Sequence, residues 1–244
     1  MTNPKAGRRA LLGGLVATSL TAAAPAHARM SLRALKKDAV ILFQGDSITE
    51  GGRWDGTDFN HIMGQDYAYI LAAQLGLDYA DRNLTCLNRG VSGNTVVKLA
   101  ARWQADTIAL KPDLLSVMVG VNDTFYGDGE TVETYESTYD RLIADTLTAL
   151  PAVKIILGES FLMPVGGYKA DYAARRAELA TRQAAARRIA AKYALPLIPY
   201  QQVFDDAVKQ APAEHWSWDG VHPTYAGHGL MARAWLKAVN RMKS

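Results

Sequence analysis

Residues 39–52 read AVILFQGDSITEGG, a short apolar run that leads directly into a polar, glycine-rich turn. A continuous apolar run of this length is typical of a strand covered on both faces, as in a parallel sheet. Ser47 stands in the turn, just beyond the apolar run, and the residues around it can open a helix. The stretch therefore predicts a central strand with a serine projecting from its carboxyl end.

Outward from this stretch, apolar runs of strand length alternate with segments of helical period. Strands are predicted at 39–43, 84–87, 114–119, 153–157 and 197–198, and helices at 66–75, 95–110, 132–150, 171–193 and 225–239. This alternation predicts βαβ units, whose right-handed crossovers build a parallel sheet with helices on both faces. Because the chain has no internal repeat and no low-complexity linker, we expect an α/β fold with five parallel strands in one domain, residues 29–244.

Polar turns follow several of these predicted strands. Residues 88–94 (NRGVSGN) follow the second strand and residues 120–123 (GVND) follow the third, while residues 219–223 (DGVHP) precede the last helix. In open parallel sheets, ligands bind outside the carboxyl ends of the strands. The four turns, including that of Ser47, are therefore expected to converge on one site.

The residue types in these turns suit acyl transfer by a serine. A serine hydroxyl is a poor nucleophile unless a base takes its proton. His222 is the best candidate base, and Asp219 lies three residues before it, close enough for its carboxylate to bond the far ring nitrogen. Such an aspartate fixes the imidazole tautomer and stabilises the imidazolium. The sequence thus predicts a catalytic triad of Ser47, His222 and Asp219.

Acyl transfer also requires hydrogen-bond donors for the negative oxygen that develops in the transition state. Three candidates are the backbone N–H of Ser47, the backbone N–H of Gly93 and the side-chain amide of Asn122. Gly93 suits this role because a residue without Cβ lets the backbone approach a substrate closely.

Each residue also has a structural interpretation. Asp46 or Ser47 could cap a helix, Asn122 and Gly93 could be turn residues, and His222 could be a structural histidine. Their joint occurrence, each after the expected element, favours the catalytic interpretation.

The same stretches resemble the SGNH (GDSL) hydrolase family. FQGDSITEGGR resembles the family block that carries the nucleophile, Ser47, and NRGVSGN resembles the block that carries Gly93. GVND resembles the block with Asn122, and DGVHPT the block with Asp219 and His222. The resemblance covers nearly all of the chain after the first 38 residues. It implies a flavodoxin-like, three-layer α/β/α sandwich and an esterase without a cofactor.

A finer resemblance is to the acetylxylan-esterase branch of that family, which removes acetyl groups from sugar hydroxyls. It rests on Arg53, Tyr67 and the stretches ARWQAD, LKPDLLSVMVGVND and DGVHPTYAGH. Phe125 departs from it, because related sequences often have Trp after GVND. The resemblance implies a small-molecule or oligosaccharide ester as substrate. Within the same family, the alternatives are an arylesterase, a thioesterase or a lysophospholipase.

Aromatic residues near the predicted site are candidates for sugar contacts. Trp54, Trp216 and Trp218 flank the serine and Asp-His turns, and Phe125 follows GVND. Aromatic rings can pack on sugar faces, but the same residues could simply pack under long loops.

Composition limits the partners of the mature chain. The formal charge of +3 comes from 27 basic and 24 acidic residues, and Lys5, Arg8 and Arg9 fall in the first 28 residues, which hold no acidic residue. The remainder is formally neutral, which gives no electrostatic reason to expect nucleic acid or an anionic membrane as partner. The sequence does not indicate an oligomeric state.

The first 28 residues predict export. Adjacent arginines precede an apolar stretch, and the segment ends Ala26-His27-Ala28, a small-x-small cleavage pattern. The apolar stretch is too short for a stable membrane anchor. The arginine pair resembles a twin-arginine signal, with a general secretory signal as the alternative. We expect a periplasmic or secreted protein.

Two other classes of function are weaker alternatives. His215, Asp219, His222 and His228 are close in sequence and could be imagined as zinc ligands. That interpretation leaves Ser47, Gly93 and Asn122 unexplained, and we expect no metal. A carbohydrate-binding protein without activity would be expected to lack part of the triad, and here all three residues are present.

Overall fold

The computed structural model describes Met1, Leu32 and residues 35–126 and 130–241. The predicted export signal lies outside the described residues, apart from Met1, and stays a prediction. Within the described part of the chain, no helix is both long and apolar enough to cross a membrane.

The centre of the fold is a five-stranded parallel sheet with the order β2-β1-β3-β4-β5. Its strands are β1 (Val40–Gly45), β2 (Thr85–Asn88), β3 (Leu114–Met118), β4 (Lys154–Gly158) and β5 (Leu197–Ile198). β2 lies on one side of β1, and β3, β4 and β5 lie on the other side. The connections between strands therefore diverge on the two sides of β1 and leave a crevice at its carboxyl end. The predicted α/β class and the five parallel strands are confirmed.

Nine α-helices accompany the sheet in the described residues. They are α1 (Ser47–Glu50), α2 (Tyr67–Asp78), α3 (Val96–Asp106), α4 (Val121–Phe125), α5 (Val132–Ala149), α6 (Tyr172–Lys192), α7 (Tyr200–Ala207), α8 (Ala213–Trp216) and α9 (Tyr225–Arg241). Single 3₁₀ turns occupy Ala80–Arg82, Ile108–Leu110 and Gly166–Tyr168.

Two apolar cores separate the helices from the sheet. Successive side chains of a strand point to opposite faces, and on β1 Phe43 packs with α2 and α9, whereas Leu42 packs with α3 and α5. Trp235 of α9 and Trp103 of α3 are large buried members of the two cores. The molecule is therefore an α/β/α sandwich, as the sequence predicts.

The observed boundaries differ from the predicted ones where polar residues are buried. β1 continues two residues past Phe43, because Gln44 and Gly45 still pair with β3. The polar side chain of Gln44 suggested that the strand ends at Phe43. In the structure Gln44 is fully buried, because its amide donates to the Asp106 carbonyl and the Thr107 hydroxyl. The helix predicted at 95–110 instead ends at Asp106 and is followed by a separate 3₁₀ turn.

Candidate active site

Ser47 lies at the carboxyl end of β1, at the start of the four-residue helix α1. The preceding residue, Asp46, caps this helix by accepting the N–H of Ile48 at 3.0 Å. Because Asp46 supplies the cap, the Ser47 hydroxyl is free to bond elsewhere. Its Oγ lies 2.8 Å from Nε2 of His222, a residue 175 positions away in the chain.

The other ring nitrogen of His222, Nδ1, lies 2.6 Å from Oδ2 of Asp219. The second carboxylate oxygen of Asp219 accepts the backbone N–H groups of His222 at 2.7 Å and Val221 at 2.9 Å. The Ser217 hydroxyl holds the two ends of the 217–222 loop together, because it donates to the His222 carbonyl and accepts the Gly220 N–H. The loop therefore orients both side chains of the Asp-x-x-His motif.

These contacts move the two pKa values apart. The hydrogen bond to Asp219 raises the pKa of His222 above its ordinary 6.5, although partial burial opposes this. Burial pushes the pKa of Asp219 upward, but the hydrogen bonds from the His222 ring and from two backbone N–H groups outweigh it, and the net pKa is lowered. The aspartate thus stays ionised beside a more basic imidazole, as a proton-accepting histidine requires.

The proposed oxyanion donors lie on three segments: the start of α1, the loop after β2, and α4. The N–H groups of Ser47 and Gly93 donate to no protein acceptor within the described residues. Asn122, in α4, is buried, and its Nδ2 donates to the Asn94 carbonyl at 3.1 Å. An amide nitrogen carries two hydrogens, so this bond leaves one hydrogen of Asn122 for a substrate.

The sequences and structures of known proteins identify the family of this chain. A family model described as the GDSL-like lipase/acylhydrolase family matches residues 43–230. The chain belongs to that family. It is accordingly a carboxylic-ester hydrolase.

Individual relatives cover more than four fifths of this hydrolase. The acetylxylan esterase of Geobacillus stearothermophilus is 33% identical over 210 residues, which span 82% of this chain and 93% of the relative. A crystal structure of that esterase has a TM-score of 0.72 at 30% identity and covers 84% of this chain and 95% of its own. A GDSL-like lipase structure from Parabacteroides merdae has a TM-score of 0.80 at 39% identity, covering 86% of this chain and 98% of its own.

Two cavities meet at the Ser47–His222 pair of the hydrolase. The first, of about 540 Å³, is lined mainly by α1, by the segment 222–225 and by Trp218; its polar lining includes Glu50, Gln65, Ser92 and Thr224. The second, of about 470 Å³, is lined by residues that include Asn122, Phe125, Tyr126, Tyr168 and Arg175. The Ser47 hydroxyl therefore has space on two sides.

The structure separates the four aromatic candidates. Trp218 lines the first cavity, where its ring lies nearly parallel to the His222 ring at 5.8 Å, and Phe125 lines the second. Trp54 and Trp216 line neither. Trp54 stacks on His61 at 4.6 Å, and Trp216 packs against the core with its Nε1 donating to the Ala211 carbonyl.

Several residues of the cavities were not predicted from the sequence. The Tyr126 and Tyr168 hydroxyls bond at 2.5 Å across the second cavity, and the Arg175 guanidinium lies 5.5 Å from the centre of the Phe125 ring. These residues belong to segments far apart in the chain, and no local motif marks them.

The histidines of the alternative zinc site lie in different surroundings. His228 Nδ1 accepts the Tyr67 N–H, and burial lowers the pKa of His228 to about 4. His215 packs edge-on against Trp216. Among the described residues, no three His, Cys, Asp or Glu side chains form a group that could hold a metal ion.

Proposed function

We propose that this hydrolase is a serine esterase that removes O-acetyl groups from carbohydrate through an acyl-enzyme. The observation that carries the proposal is the hydrogen-bonded row from Ser47 Oγ through the His222 ring to Asp219, with bonds of 2.8 and 2.6 Å. A serine, a base and an orienting carboxylate in such a row are the requirements for nucleophilic acyl transfer.

In the proposed mechanism, Ser47 Oγ attacks the acetyl carbonyl carbon while His222 Nε2 takes the hydroxyl proton. The carbonyl oxygen becomes an oxyanion that accepts hydrogen bonds from the Ser47 and Gly93 N–H groups and from Asn122. His222 then gives its proton to the departing sugar oxygen as the C–O bond breaks. A water molecule, deprotonated by His222, attacks the acetyl-serine; the bond between the acetyl carbon and Ser47 Oγ breaks, acetate is released and His222 returns the proton to Ser47.

The relatives support the assignment of these roles. Solved structures of the Geobacillus acetylxylan esterase include catalytic mutants that replace a serine, an aspartate and a histidine. The replaced aspartate stands three positions before the replaced histidine, which is the spacing of Asp219 and His222.

The first cavity supports a sugar as leaving group. Trp218 is 66% exposed and presents its ring beside the Ser47–His222 pair. Glu50, Gln65 and Thr224 supply hydrogen-bonding groups in the same cavity. An aromatic face with a few polar groups is a surface on which a sugar ring can stack and bond through its hydroxyls.

The proposal is tested by acetate release from a panel of acetylated oligosaccharides and polysaccharides. We expect the wild type to release acetate and Ser47→Ala to lose on the order of 10⁴-fold or more in turnover. Ser137→Ala, on the exposed face of α5, is the matched control and should keep full activity. Near-normal turnover by Ser47→Ala would refute the assignment of the nucleophile.

A second experiment separates deacetylation from the alternative ester substrates. We expect the acetyl ester of nitrophenol to be hydrolysed faster than the octanoyl ester, and Trp218→Ala to raise KM for acetylated sugars but not for nitrophenyl acetate. Equal or faster hydrolysis of the octanoyl ester would favour the arylesterase or lysophospholipase alternative.

A further inference from the structure

Arg102, in α3, lies behind the active site and touches neither cavity, yet it bonds to several segments that form the site. Its side chain is only 18% exposed. The guanidinium donates to Asn94 Oδ1 at 2.7 Å, the Arg89 carbonyl at 2.7 Å, the Gln44 side chain at 3.0 Å, the Asp106 carboxylate at 3.1 Å and the Gly45 carbonyl at 3.2 Å. We call this set the Arg102 network.

The acceptors of the Arg102 network lie next to the proposed oxyanion donors. Gly45 is two residues before Ser47, at the end of β1, and Asn94 immediately follows Gly93. Asn94 has a second contact, because its carbonyl accepts one N–H of the Asn122 amide at 3.1 Å. Asn94 thus connects the guanidinium to two of the three donors.

The orientation of Asn122 depends on this connection. An amide side chain can rotate about its last torsion, which is broad and has no sharply preferred value. The Asn94 carbonyl fixes which hydrogen of Asn122 is used internally and which remains for the substrate. The position of that carbonyl is in turn set by the Asn94 side chain, which is buried and held by Arg102.

An arginine is suited to this task because its planar guanidinium carries five N–H donors in a fixed arrangement. A lysine ammonium presents three donors from one point and cannot reach acceptors spread over the end of β1, the loop after β2 and α3 in the same way. Displacement of a catalytic group by about 1 Å can cost on the order of 10²-fold in rate. Holding the end of β1 and the loop after β2 at fixed spacing, and Asn122 through Asn94, therefore has catalytic consequences.

We propose that Arg102 is a positioning residue that holds the Ser47, Gly93 and Asn122 donors in register for the oxyanion. The proposal rests on the proposed serine-esterase function. Arg102 does not touch the substrate, and it acts through the backbone at Gly45 and Arg89 and through Asn94.

A double-mutant cycle with nitrophenyl acetate as substrate tests the proposal. We expect Arg102→Met to lower kcat about 10²-fold, with KM changed less than about 3-fold, because the donors act mainly in the transition state. Asn122→Ala alone should lower kcat by about 10²–10³-fold. In the Asn122→Ala background, the fold-decrease in kcat caused by Arg102→Met should be at least about 5-fold smaller than in the wild type. The reason is that the Asn122 donor, through which Arg102 partly acts, is already absent.

Two further variants make the test independent of one substitution. Arg102→Lys should recover only a small part of the loss. Asn94→Ala removes a single acceptor and leaves the guanidinium in place, so it should lower kcat by about tenfold and be non-additive with Asn122→Ala. Arg188→Met is the matched control, because this guanidinium makes a bidentate bond to Glu136 on the exposed surface, and its kcat should not change.

The outcomes distinguish positioning from general stabilisation. A folded Arg102→Met protein with kcat within about 3-fold of wild type would overturn the proposal, as would fully multiplicative losses with Asn122→Ala. If Arg102→Met does not fold, Asn94→Ala and its double mutant with Asn122→Ala decide by the same criterion. Failure of the underlying esterase function would appear separately, as retained activity in Ser47→Ala.

Discussion

At the scale of single residues, Asp46 and Ser47 are neighbours that perform different tasks. Asp46 is fully buried and caps α1, whereas Ser47 is partly exposed and bonds to His222. Burial raises the pKa of Asp46 to about 7, although its hydrogen bond from Ile48 and the nearby His222 lower it. A less ionised Asp46 leaves Asp219 as the principal anion that stabilises a positive His222 ring.

Replacing Asp219 by asparagine tests this division of labour through the pH dependence of kcat/KM. His222 acts as a base only when neutral, so activity falls as the pH drops through its pKa, which the Asp219 bond raises above 6.5. Asp219→Asn removes the largest cause of that rise, and we expect the acidic limb of the profile to move to lower pH. Turnover should also fall by on the order of 10³–10⁴-fold.

The matched control for this experiment is Asp206→Asn, which removes an exposed carboxylate that is paired with Lys209. Its acidic limb and its turnover should equal those of the wild type. An unmoved acidic limb in Asp219→Asn would mean that the limb reports a group other than His222.

At the scale of elements, α1 is held in place by the close approach of another loop. A Cβ added at Gly90 would lie 2.3 Å from the Glu50 nitrogen and 2.7 Å from the Thr49 carbonyl carbon, both in the backbone of α1. Gly93, three residues later, has no atom within 4 Å of such a Cβ, but its φ of +74° is unfavourable for any residue with a side chain. One glycine is thus required for packing and the other for backbone conformation.

The two glycines should respond differently to substitution by alanine. Gly90→Ala must displace α1, and we expect it to lower the free energy of unfolding by about 1–3 kcal/mol together with activity. Gly93→Ala meets no obstacle, so its cost in stability should be near 1 kcal/mol, while relaxation of φ turns its N–H away and lowers kcat. Urea unfolding and kcat measurements on both variants check this.

Gly229→Ala in α9 provides the control for these substitutions, because its Cβ would lie in open space and its φ is ordinary for a helix. Alanine should raise stability there by about 0.5–1 kcal/mol and leave kcat unchanged. Equal kcat values for Gly93→Ala and the wild type would remove Gly93 from the set of oxyanion donors.

The strands and long helices could be predicted because periodicity reports burial on one or two faces. The start of α1 could be predicted from the turn residues Asp46 and Ser47. The short helices α4, α7 and α8 could not, because four to eight residues carry too little periodicity. The hydrogen-bonded row of Ser47, His222 and Asp219 could be predicted because Asp219 and His222 share one loop. Trp54 and Trp216 looked equivalent to Trp218 in sequence, but only loop packing determines which ring faces a cavity.

At the scale of the whole molecule, three buried carboxyl groups lie near the loops of the active site. Burial raises the pKa values of Asp46 and Asp123 to about 7 and that of Asp66 to about 8, from an ordinary value of 3.8. One oxygen of Asp46 and one of Asp123 have no protein partner within the described residues. Ionisation of these groups therefore occurs at a higher pH in the folded protein than in the unfolded chain.

We expect the hydrolase to lose stability as the pH rises from 5 to 8. Between an unfolded pKa near 4 and folded values near 7 to 8, each carboxyl binds a proton only when folded, so unfolding releases protons and higher pH favours it. Each group contributes up to about 1.4 kcal/mol per pH unit. His228, whose folded pKa is about 4, opposes this trend below pH 6.5, so the loss should be steepest between about pH 6.5 and 7.

Urea unfolding across this pH range, with two variants, identifies the origin of the slope. Asp46→Asn keeps the oxygen that accepts the Ile48 N–H and resembles the protonated carboxyl in shape. The loss of unfolding free energy with rising pH should therefore be smaller in this variant, by the contribution of one carboxyl group. Asp81→Asn changes a carboxylate that is 81% exposed, and its profile should follow the wild type. A stability that rises from pH 5 to 8 would show that these carboxyls ionise at ordinary pH in the folded protein, and that the buried edge of the sheet admits water to them.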